Sequence, residues 1–342
     1  MSVSARKILR HILHRTQGWV RPRGLILMYH RVAEVELDPW SLSVTPQRFD
    51  EHLQVLREHR HLLGLSQLVD VQRRGRIPRG AVAITFDDGY ADNLHTARPL
   101  LQRHGVPATV FVAAGQVDSQ REFWWDELER IMLRPGRLPD TLELQIDNTT
   151  RRWDVGTASN YGEADYRCDR TRRAWEAEPG SRMALYYSVW SVLRTLPYGA
   201  RTQALDALLT WAGAPPAPRA ANRAVTRDEL HALMEGGLVG IGAHTMTHPS
   251  LPAHPLAVQK EEIRGSKVLL EHMLGREITS FAFPFGDFTL DTIALVREAG
   301  FTVACTTRAG SVGAGGDTLQ LPRFEVRNWS KDEFARCLQR WM

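Results

Sequence analysis

Two short motifs in this 342-residue chain bring together side chains that can bind a metal ion and activate water. Asp87 and Asp88 follow the apolar run 81–86, and His244 and His248 are spaced four residues apart after a later apolar run. That spacing sets both imidazoles on one side of a helical turn, where they can reach a common metal. Each motif alone is weak, since Asp-Gly is an ordinary turn signal and a His pair often lies in a plain loop. Together they predict a site with two His and one carboxylate, which keeps a coordination position open for water and leaves one carboxylate free.

Alternating elements must hold these motifs in place. Short apolar runs alternate with helical patterns, which is typical of βα units around a largely parallel sheet. The pattern predicts strands at 24–30, 81–86, 108–113, 238–243, 279–283 and 301–306. It predicts helices that begin at Thr45-Pro46 and that span 91–104, 227–235, 255–274 and 289–299. We therefore predict an α/β fold, a distorted or incomplete (β/α) barrel of about seven parallel strands.

The alternation is interrupted between residues 120 and 222. This stretch is rich in Trp and Arg, contains helical patterns at 125–133, 181–196 and 201–212, and closes with the Pro-rich run 214–218. We interpret it as a largely helical insertion. The predicted organisation is a basic N-terminal segment (1–23), a barrel formed by 24–119 and 223–342, and the insertion (120–222) between the two parts of the barrel.

In such barrels, functional groups collect where the strands end at the C-terminal face. The first predicted strand ends at His30, and the strand at 279–283 runs into Phe283-Pro284-Phe285-Gly286. With Asp87 and His244, these positions place chemically useful groups at four strand ends.

Three of these motifs carry a resemblance to a known family. Thr85-Phe86-Asp87-Asp88-Gly89, His244-Thr245-Met246-Thr247-His248 and Phe283-Pro284-Phe285-Gly286 occur in the order found in the polysaccharide deacetylases, the NodB-homology domain of carbohydrate esterase family 4. The sequence resembles that family over roughly residues 24–115 and 225–325. The resemblance implies a distorted (β/α) barrel and one divalent metal, usually zinc and sometimes cobalt or nickel. It also implies hydrolysis of an N-acetyl amide, or sometimes an O-acetyl ester, on a sugar.

Carried onto this chain, the family pattern assigns roles to single residues. Asp88, His244 and His248 resemble the metal ligands. Asp87 resembles the general base that deprotonates the metal-bound water, and the backbone N–H of Phe285, with the metal, is expected to stabilise the oxyanion.

The chain departs from the family pattern in its general acid. Many relatives use a late His as the acid, but no His follows His272 here. Another branch, which includes poly-N-acetylglucosamine deacetylases, carries a Tyr-His at the end of its first strand, and Met28-Tyr29-His30 resembles that branch. We predict His30 as the general acid, with a purely structural His as the alternative.

A second departure is the absence of an Arg before the Pro-Phe-Gly motif, where many relatives use one to orient the base. Arg323 or Arg308 can supply that charge from another strand, and the alternative is an ordinary surface Arg. Both are also candidate substrate-binding residues, together with Trp124 in the aromatic cluster that opens the insertion. That cluster is either a glycan platform or internal packing.

The charge distribution argues against nucleic-acid binding, and the cysteine content indicates the compartment. The net charge is +4, but residues 1–24 hold six basic and no acidic residues, so the remainder carries −2. The body of the protein therefore gives no basic face for nucleic acid, and we expect no nucleic-acid partner. Three widely spaced cysteines indicate a reducing compartment.

Residues 1–23 are also the segment on which a membrane contact depends. Charged and polar residues interrupt the apolar residues of this segment, so it resembles neither a secretion signal nor a membrane span. We therefore expect a cytoplasmic protein. We interpret residues 1–23 as a locally packed or frayed helix, with peripheral contact at the inner face of the membrane as the alternative.

The predicted function is metal-dependent removal of an N-acetyl group from an amino sugar. The expected substrate is a glycan, or a lipid- or nucleotide-linked sugar that serves as its cytoplasmic precursor. The alternatives are a deformylase or other small-molecule amidohydrolase on the same scaffold, and a sugar-binding protein that has lost catalysis.

Overall fold

The computed structural model describes residues 23–146 and 149–341. The predicted basic segment, residues 1–23, lies outside the described residues except for Arg23. Among the described helices, none combines the length and the apolar character needed to cross a membrane.

The structure contains strands and helices in alternation over most of its length. The strands are β1 (Leu25–Tyr29), β2 (Arg31–Val32), β3 (Ser43–Val44), β4 (His61–Leu62), β5 (Ala81–Phe86), β6 (Ala108–Val112), β7 (Gly136–Arg137), β8 (Thr141–Ile146), β9 (Thr149–Asp154), β10 (Asn160–Tyr161), β11 (Val239–Ala243), β12 (Ser280–Ala282), β13 (Val303–Cys305) and β14 (Phe324–Glu325). The α-helices are α1 (Pro46–His59), α2 (Leu65–Arg73), α3 (Arg98–His104), α4 (Trp124–Met132), α5 (Glu163–Asp169), α6 (Arg182–Leu193), α7 (Tyr198–Ala212), α8 (Arg227–Met234), α9 (Leu256–Leu274), α10 (Leu290–Glu298) and α11 (Lys331–Trp341).

Seven parallel strands form a curled central sheet in the order β13-β12-β11-β6-β5-β1-β14, and β4 pairs with β5 beside them. A parallel bridge between Cys305 and Leu321 links the β13 side to the segment that leads into β14. The predicted distorted (β/α) barrel is therefore confirmed. The barrel strands β1, β5 and β6 are buried at every position, as expected of parallel strands covered by helices.

The parallel direction places the carboxyl ends of these strands at one edge of the barrel. The backbone beyond the strands is still paired: Asp87 N–H donates to Tyr29 C=O (3.0 Å), and His244 N–H donates to Val112 C=O (2.9 Å). These bonds fix the first residues after each strand, so the side chains there are positioned by the sheet itself.

The segment 120–222 builds a second apolar core beside the barrel. Its helices α4, α6 and α7 lie close to the predicted helical stretches. The segment also contains an antiparallel hairpin, β8–β9, which the sequence analysis did not include. The sequence does contain a signal for β8: Leu142, Leu144 and Ile146 are apolar and buried, and they alternate with more exposed residues. This two-residue period is typical of a half-buried strand.

Candidate metal centre and active site

Four strand ends meet in one cleft of about 380 Å³. The cleft is lined by six residues that the sequence analysis had singled out as metal ligands or catalytic groups: His30, Asp87, Asp88, His244, His248 and Phe285. They follow β1, β5, β11 and β12, which lie apart in the sequence but share one edge of the barrel. The fold thus brings the predicted catalytic and metal-binding residues together.

The backbone at this edge adopts conformations that residues other than Gly rarely adopt. Six described residues other than Gly have a positive φ, and four of them are Asp88 (73°), Thr245 (65°), His248 (56°) and Phe285 (57°). Such conformations cost free energy and persist where the surrounding structure imposes them, commonly at functional sites. Here they turn the chain sharply after the strands and direct the side chains into the cleft.

Asp88, His244 and His248 form a compact group of potential metal ligands. Asp88 Oδ1 lies 3.6 Å from His244 Nε2 and 3.4 Å from His248 Nε2, and one ligand atom from each residue lies within 4.8 Å of the others. The other nitrogen of His244, Nδ1, donates to the Ala282 carbonyl (2.8 Å). That bond leaves Nε2 as the free lone pair facing Asp88, as in metal-binding histidines generally.

The protonation states of this group also suit a divalent cation. Burial lowers the pKa of His244 to about 4 and holds that of His248 well below its ordinary value, so both imidazoles are neutral near pH 7. Burial and the neighbouring Asp87 charge raise the pKa of Asp88, and a cation at this point would favour its charged form. Two neutral imidazoles and one carboxylate are a normal ligand set for catalytic zinc, so the residues present fit such a metal.

Asp87 lies beside this group in a buried ion pair. Arg323 donates from Nη1 to Oδ1 (2.6 Å) and from Nη2 to Oδ2 (2.7 Å), so the guanidinium holds both carboxylate oxygens. Burial raises the pKa of Asp87, but the Arg323 charge outweighs it and lowers that pKa to about 2. Asp87 is therefore a fixed, ionised carboxylate.

His30 lies in the same cleft at the end of β1. Its backbone is anchored by Asn93, whose side-chain amide donates to the His30 carbonyl (2.9 Å). Burial lowers the pKa of His30, and the charges of Asp87 and Glu325 oppose that effect.

The loop that joins the two candidate ligands His244 and His248 is held by contacts from outside the barrel sheet. The Glu262 carboxylate of α9 accepts the N–H groups of Met246 (2.9 Å) and Thr247 (2.8 Å) and the hydroxyl of Thr247 (2.6 Å). From the inserted segment, the buried Arg201 donates to the Thr247 carbonyl (2.6 Å). The segment 120–222 therefore contacts the loop between His244 and His248 directly.

The candidate substrate-binding residues lie in different places. Arg323 is fully buried against Asp87, so its contact is with the carboxylate. The Arg308 guanidinium lies over the Phe288 ring (4.6 Å) and is not among the residues that line the cleft. Trp124 is 7% exposed and packs in the second core, whereas its neighbour Trp125 faces the cleft.

Trp125 lines the cleft, whereas its neighbour Trp124 was the residue predicted from the sequence. Its ring lies 4.6 Å from that of His248, and its indole N–H donates to the Tyr90 hydroxyl (2.7 Å), which in turn donates to Asp126 (2.6 Å). Both tryptophans open the same helix, and only the packing of α4 decides which of them faces the cleft.

Further cleft residues come from segments that the sequence analysis did not connect with the site. They include Trp40 from the loop after β2, Trp175, Trp190 and Arg194 from segment 120–222, and Glu325 and Arg327 from the end of β14. The abundance of Trp and Arg in segment 120–222 is a signal for Trp175, Trp190 and Arg194, and no comparable signal marks Trp40, Glu325 and Arg327.

Comparison with known proteins identifies the family. A model of the polysaccharide deacetylase family matches residues 74–136 and 197–304, together half of the chain. The chain belongs to the polysaccharide deacetylase family. The matched residues include Asp87, Asp88, His244, His248 and Phe285, while residues 137–196 fall outside the match. The resemblance seen in the sequence is thus confirmed.

Individual relatives are similar over part of their length. The chain is 27% identical over 122 residues to Bacillus subtilis YxkH (34% of this chain, 42% of that protein). It is 27% identical over 110 residues to a poly-β-1,6-N-acetyl-D-glucosamine N-deacetylase of Staphylococcus aureus (28% of this chain, 38% of that protein). The matches therefore span about two fifths of the length of these relatives.

Solved structures show the same fold. Deacetylase PplD of Streptococcus pyogenes, solved with acetate, has a TM-score of 0.56 at 17% identity and covers 92% of this chain and 98% of its own. IcaB of Ammonifex degensii has a TM-score of 0.57 at 18% identity, and the match covers 93% of this chain and 97% of IcaB.

Proposed function

We propose that this protein is a metal-dependent hydrolase that removes the N-acetyl group from an amino sugar of a polysaccharide or of its precursor. The observation that carries the proposal is the cluster of Asp88, His244 and His248 beside an ionised Asp87 in one cleft. Membership of the polysaccharide deacetylase family supports it, as does the similarity to a poly-β-1,6-N-acetyl-D-glucosamine N-deacetylase.

In this proposal Asp88, His244 and His248 hold one divalent ion, with zinc expected and cobalt or nickel as alternatives. When bound, the metal supplies a Lewis acid that polarises the acetyl carbonyl and lowers the pKa of water.

Asp87 acts as the general base. Its carboxylate lines the cleft next to Asp88 and is ionised, so it can take a proton from water. The two hydrogen bonds from Arg323 fix the carboxylate plane while leaving further lone pairs on both oxygens for that proton. Arg323 is thus a positioning residue for the base.

The two remaining requirements of amide hydrolysis are a donor to the developing oxyanion and a proton for the departing amine. We assign the first to the backbone N–H of Phe285, which lies at the end of β12 in the left-handed conformation. We assign the second to His30, which lines the cleft with Asp87. This loop requires Gly at 286 for two reasons: its φ is positive (71°), and a Cβ there would lie 1.9 Å from Thr307 Oγ1.

The test is acetate release from N-acetylated amino-sugar oligomers by the metal-loaded protein, with Asp87→Asn as the inactive control. We expect acetate from the wild type, loss after chelation and recovery when metal is restored. Formate release from N-formyl substrates without acetate release would favour the deformylase alternative. Binding of the oligomers without turnover would favour the inactive sugar-binding alternative.

The expected location and the membrane contact of residues 1–23 stay predictions. Because such a contact would be electrostatic, salt-sensitive binding to anionic liposomes that deletion of residues 1–20 abolishes would support the membrane interpretation over a locally packed helix. Equal binding by the truncated protein would refute the membrane interpretation.

A further inference from the structure

We propose that Arg201, on helix α7 of segment 120–222, is a positioning residue for the metal centre, because it holds the loop that carries His248. This role rests on the proposed function, since it concerns one of the same three ligands. It goes beyond that function in one respect: the affinity for metal then depends on a helix of the second core as well as on the barrel.

The two candidate His ligands are held in different ways. His244 Nδ1 donates to the Ala282 carbonyl (2.8 Å), and a bond of this kind fixes the orientation of a ligand ring. His248 Nδ1 is buried and has no hydrogen-bond partner among the described residues. The His248 ring packs against the rings of Trp125 and Phe285, each at 4.6 Å. The place of this ring beside the other ligands therefore depends on where its backbone lies.

The backbone at His248 needs support from its surroundings. Its φ is 56°, and Thr245 in the same loop has a φ of 65°. Such conformations of residues other than Gly cost free energy and persist where contacts impose them. Within the loop, the His248 N–H donates to the Thr245 hydroxyl (3.0 Å). The carbonyl groups at the end of the loop are held by another segment.

Arg201 holds these carbonyl groups. Its guanidinium donates from Nη2 to the Thr247 carbonyl (2.6 Å), and its Nη1 donates to the His248 carbonyl at the longer distance of 3.5 Å. At the other end of Thr247, the Glu262 carboxylate accepts the N–H (2.8 Å) and the hydroxyl (2.6 Å). Thr247 is thus fixed between a carboxylate and a guanidinium, whose hydrogen bonds are stronger than those of neutral groups.

The loop contacts also account for the burial of Arg201. Its side chain is 2% exposed, and the described part of the chain places no carboxylate within ion-pair distance of its guanidinium. The guanidinium lies 5.2 Å from the centre of the Trp124 ring on α4. A buried cation is costly unless its donors are used, and the carbonyl groups of Thr247 and His248 use them. Packing of α7 against the barrel therefore brings a charged donor to the backbone of a candidate ligand.

A second buried arginine of segment 120–222 provides a matched control. Arg182 is 3% exposed, and its guanidinium likewise lies 5.2 Å from an aromatic ring, that of Tyr161. It also donates to backbone carbonyl groups, which include those of Met132 (2.9 Å), Ala158 (2.5 Å) and Ser159 (2.8 Å). These partners all lie within segment 120–222. Replacement of Arg182 should therefore cost stability as replacement of Arg201 does, without removing a contact to the loop 245–248.

The experiment measures the affinity of the full chain for Zn²⁺ and Co²⁺ by competition with a chromophoric chelator. The proteins are the wild type, Arg201→Met, Arg201→Lys, Arg182→Met and Arg182→Lys. Circular dichroism and thermal melting of the metal-free proteins establish that each variant is folded and how far it is destabilised. Amide hydrogen exchange of the loop 245–248 is measured on the same metal-free proteins.

We expect R201M to bind both metals about 10- to 100-fold more weakly than the wild type, as is usual when a group that orients a ligand is lost. R201K keeps a charged donor without the planar fork, so its affinity should lie between those of R201M and the wild type. R182M and R182K should bind metal like the wild type even where they melt at a lower temperature. The loop amides should exchange faster in R201M than in the wild type or R182M.

Equal metal affinity in R201M and the wild type would overturn the role of Arg201. An equal loss of affinity in R182M and R201M would also overturn it, because the loss would then follow from general destabilisation. If R201M does not fold, R201K and R182K decide, and R201K that binds metal as tightly as R182K overturns the role. A wild type that binds neither metal refutes the proposed metal-dependent hydrolase itself, whereas a metal-binding wild type matched by R201M refutes the role of Arg201 alone.

Discussion

Replacement of Arg323 by Met tests the role of the buried ion pair. Arg323 is fully buried, and its guanidinium donates to both oxygens of Asp87, to the Thr85 hydroxyl (3.2 Å) and to the Thr306 carbonyl (2.9 Å). Met fills much of the same volume without charge or donors. The variant therefore leaves a buried carboxylate with no partner charge.

The expected cost follows from that unpaired charge. Removal of one partner from a buried ion pair costs about 3–5 kcal/mol, because the other charge stays desolvated. The double variant D87N/R323M removes both charges, so we expect it to be more stable than R323M by about 2 kcal/mol or more. R323M should also lose activity. Without the Arg323 charge, burial dominates and raises the pKa of Asp87, so the acid limb of the pH–rate profile should move to higher pH.

The stability assay is urea unfolding of the metal-free protein followed by tryptophan fluorescence, and the activity assay is acetate release against pH. R308M is the matched control, since Arg308 lies over Phe288 and does not line the cleft. The reasoning is refuted if R323M unfolds within about 1 kcal/mol of the wild type. A pH–rate profile of R323M that matches that of R308M would equally refute it.

Three further predictions concern single groups around the site and the core. His30→Gln should lower kcat by about 10²–10⁴, as expected for loss of a general acid, measured by acetate release. Glu262→Ala should weaken metal affinity by about 10- to 100-fold, measured by competition with a chelator, because the loop 246–248 loses its carboxylate acceptor. Burial lowers the pKa of His52 to about 4, and its Nδ1 accepts from the Tyr29 hydroxyl (3.3 Å). The unfolded chain therefore binds a proton between pH 6.5 and 4 that the folded chain does not, so the free energy of unfolding should fall as the pH drops through that window. The share due to His52 is roughly 3 kcal/mol, and unfolding of His52→Gln against pH should show a smaller fall than the wild type, because the lowered pKa values of His244 and His248 contribute the rest.

Each of these predictions has a contradicting result. More than about a tenth of wild-type kcat in His30→Gln would remove its assignment as acid. Unchanged metal affinity in Glu262→Ala would mean that the loop holds its shape without the carboxylate. An identical pH dependence of unfolding in the wild type and His52→Gln would show that His52 does not contribute to the fall.

Much of the site follows from the sequence because its groups sit at strand ends. The carboxyl ends of parallel strands meet at one edge, so Asp87, His244 and Phe285 are brought together once the strands are recognised. The helical turn that the spacing of His244 and His248 suggested is wrong: no helix covers 244–248, and Thr245 and His248 have positive φ (65° and 56°), so a sharply turned loop brings the two rings together instead.

The parts that could not be predicted depend on packing between distant segments. The choice of Trp125 over Trp124 is decided by the rotation of α4 against the second core. The contact of Arg323 with Asp87 joins residues 236 positions apart, so the sequence offered Arg308 equally well. The cleft also takes Trp40 from a barrel loop and Trp175 from segment 120–222, and no local pattern connects these two residues.

The most direct test of the metal centre is elemental analysis of the untagged protein beside His248→Ala. We predict about one zinc, cobalt or nickel ion per chain in the wild type and its loss in the variant, with a rise in melting temperature when metal is added to the wild type alone. Wild-type protein that holds no metal and shows no rise in melting temperature when these metals are added would contradict the proposed metal-dependent hydrolase.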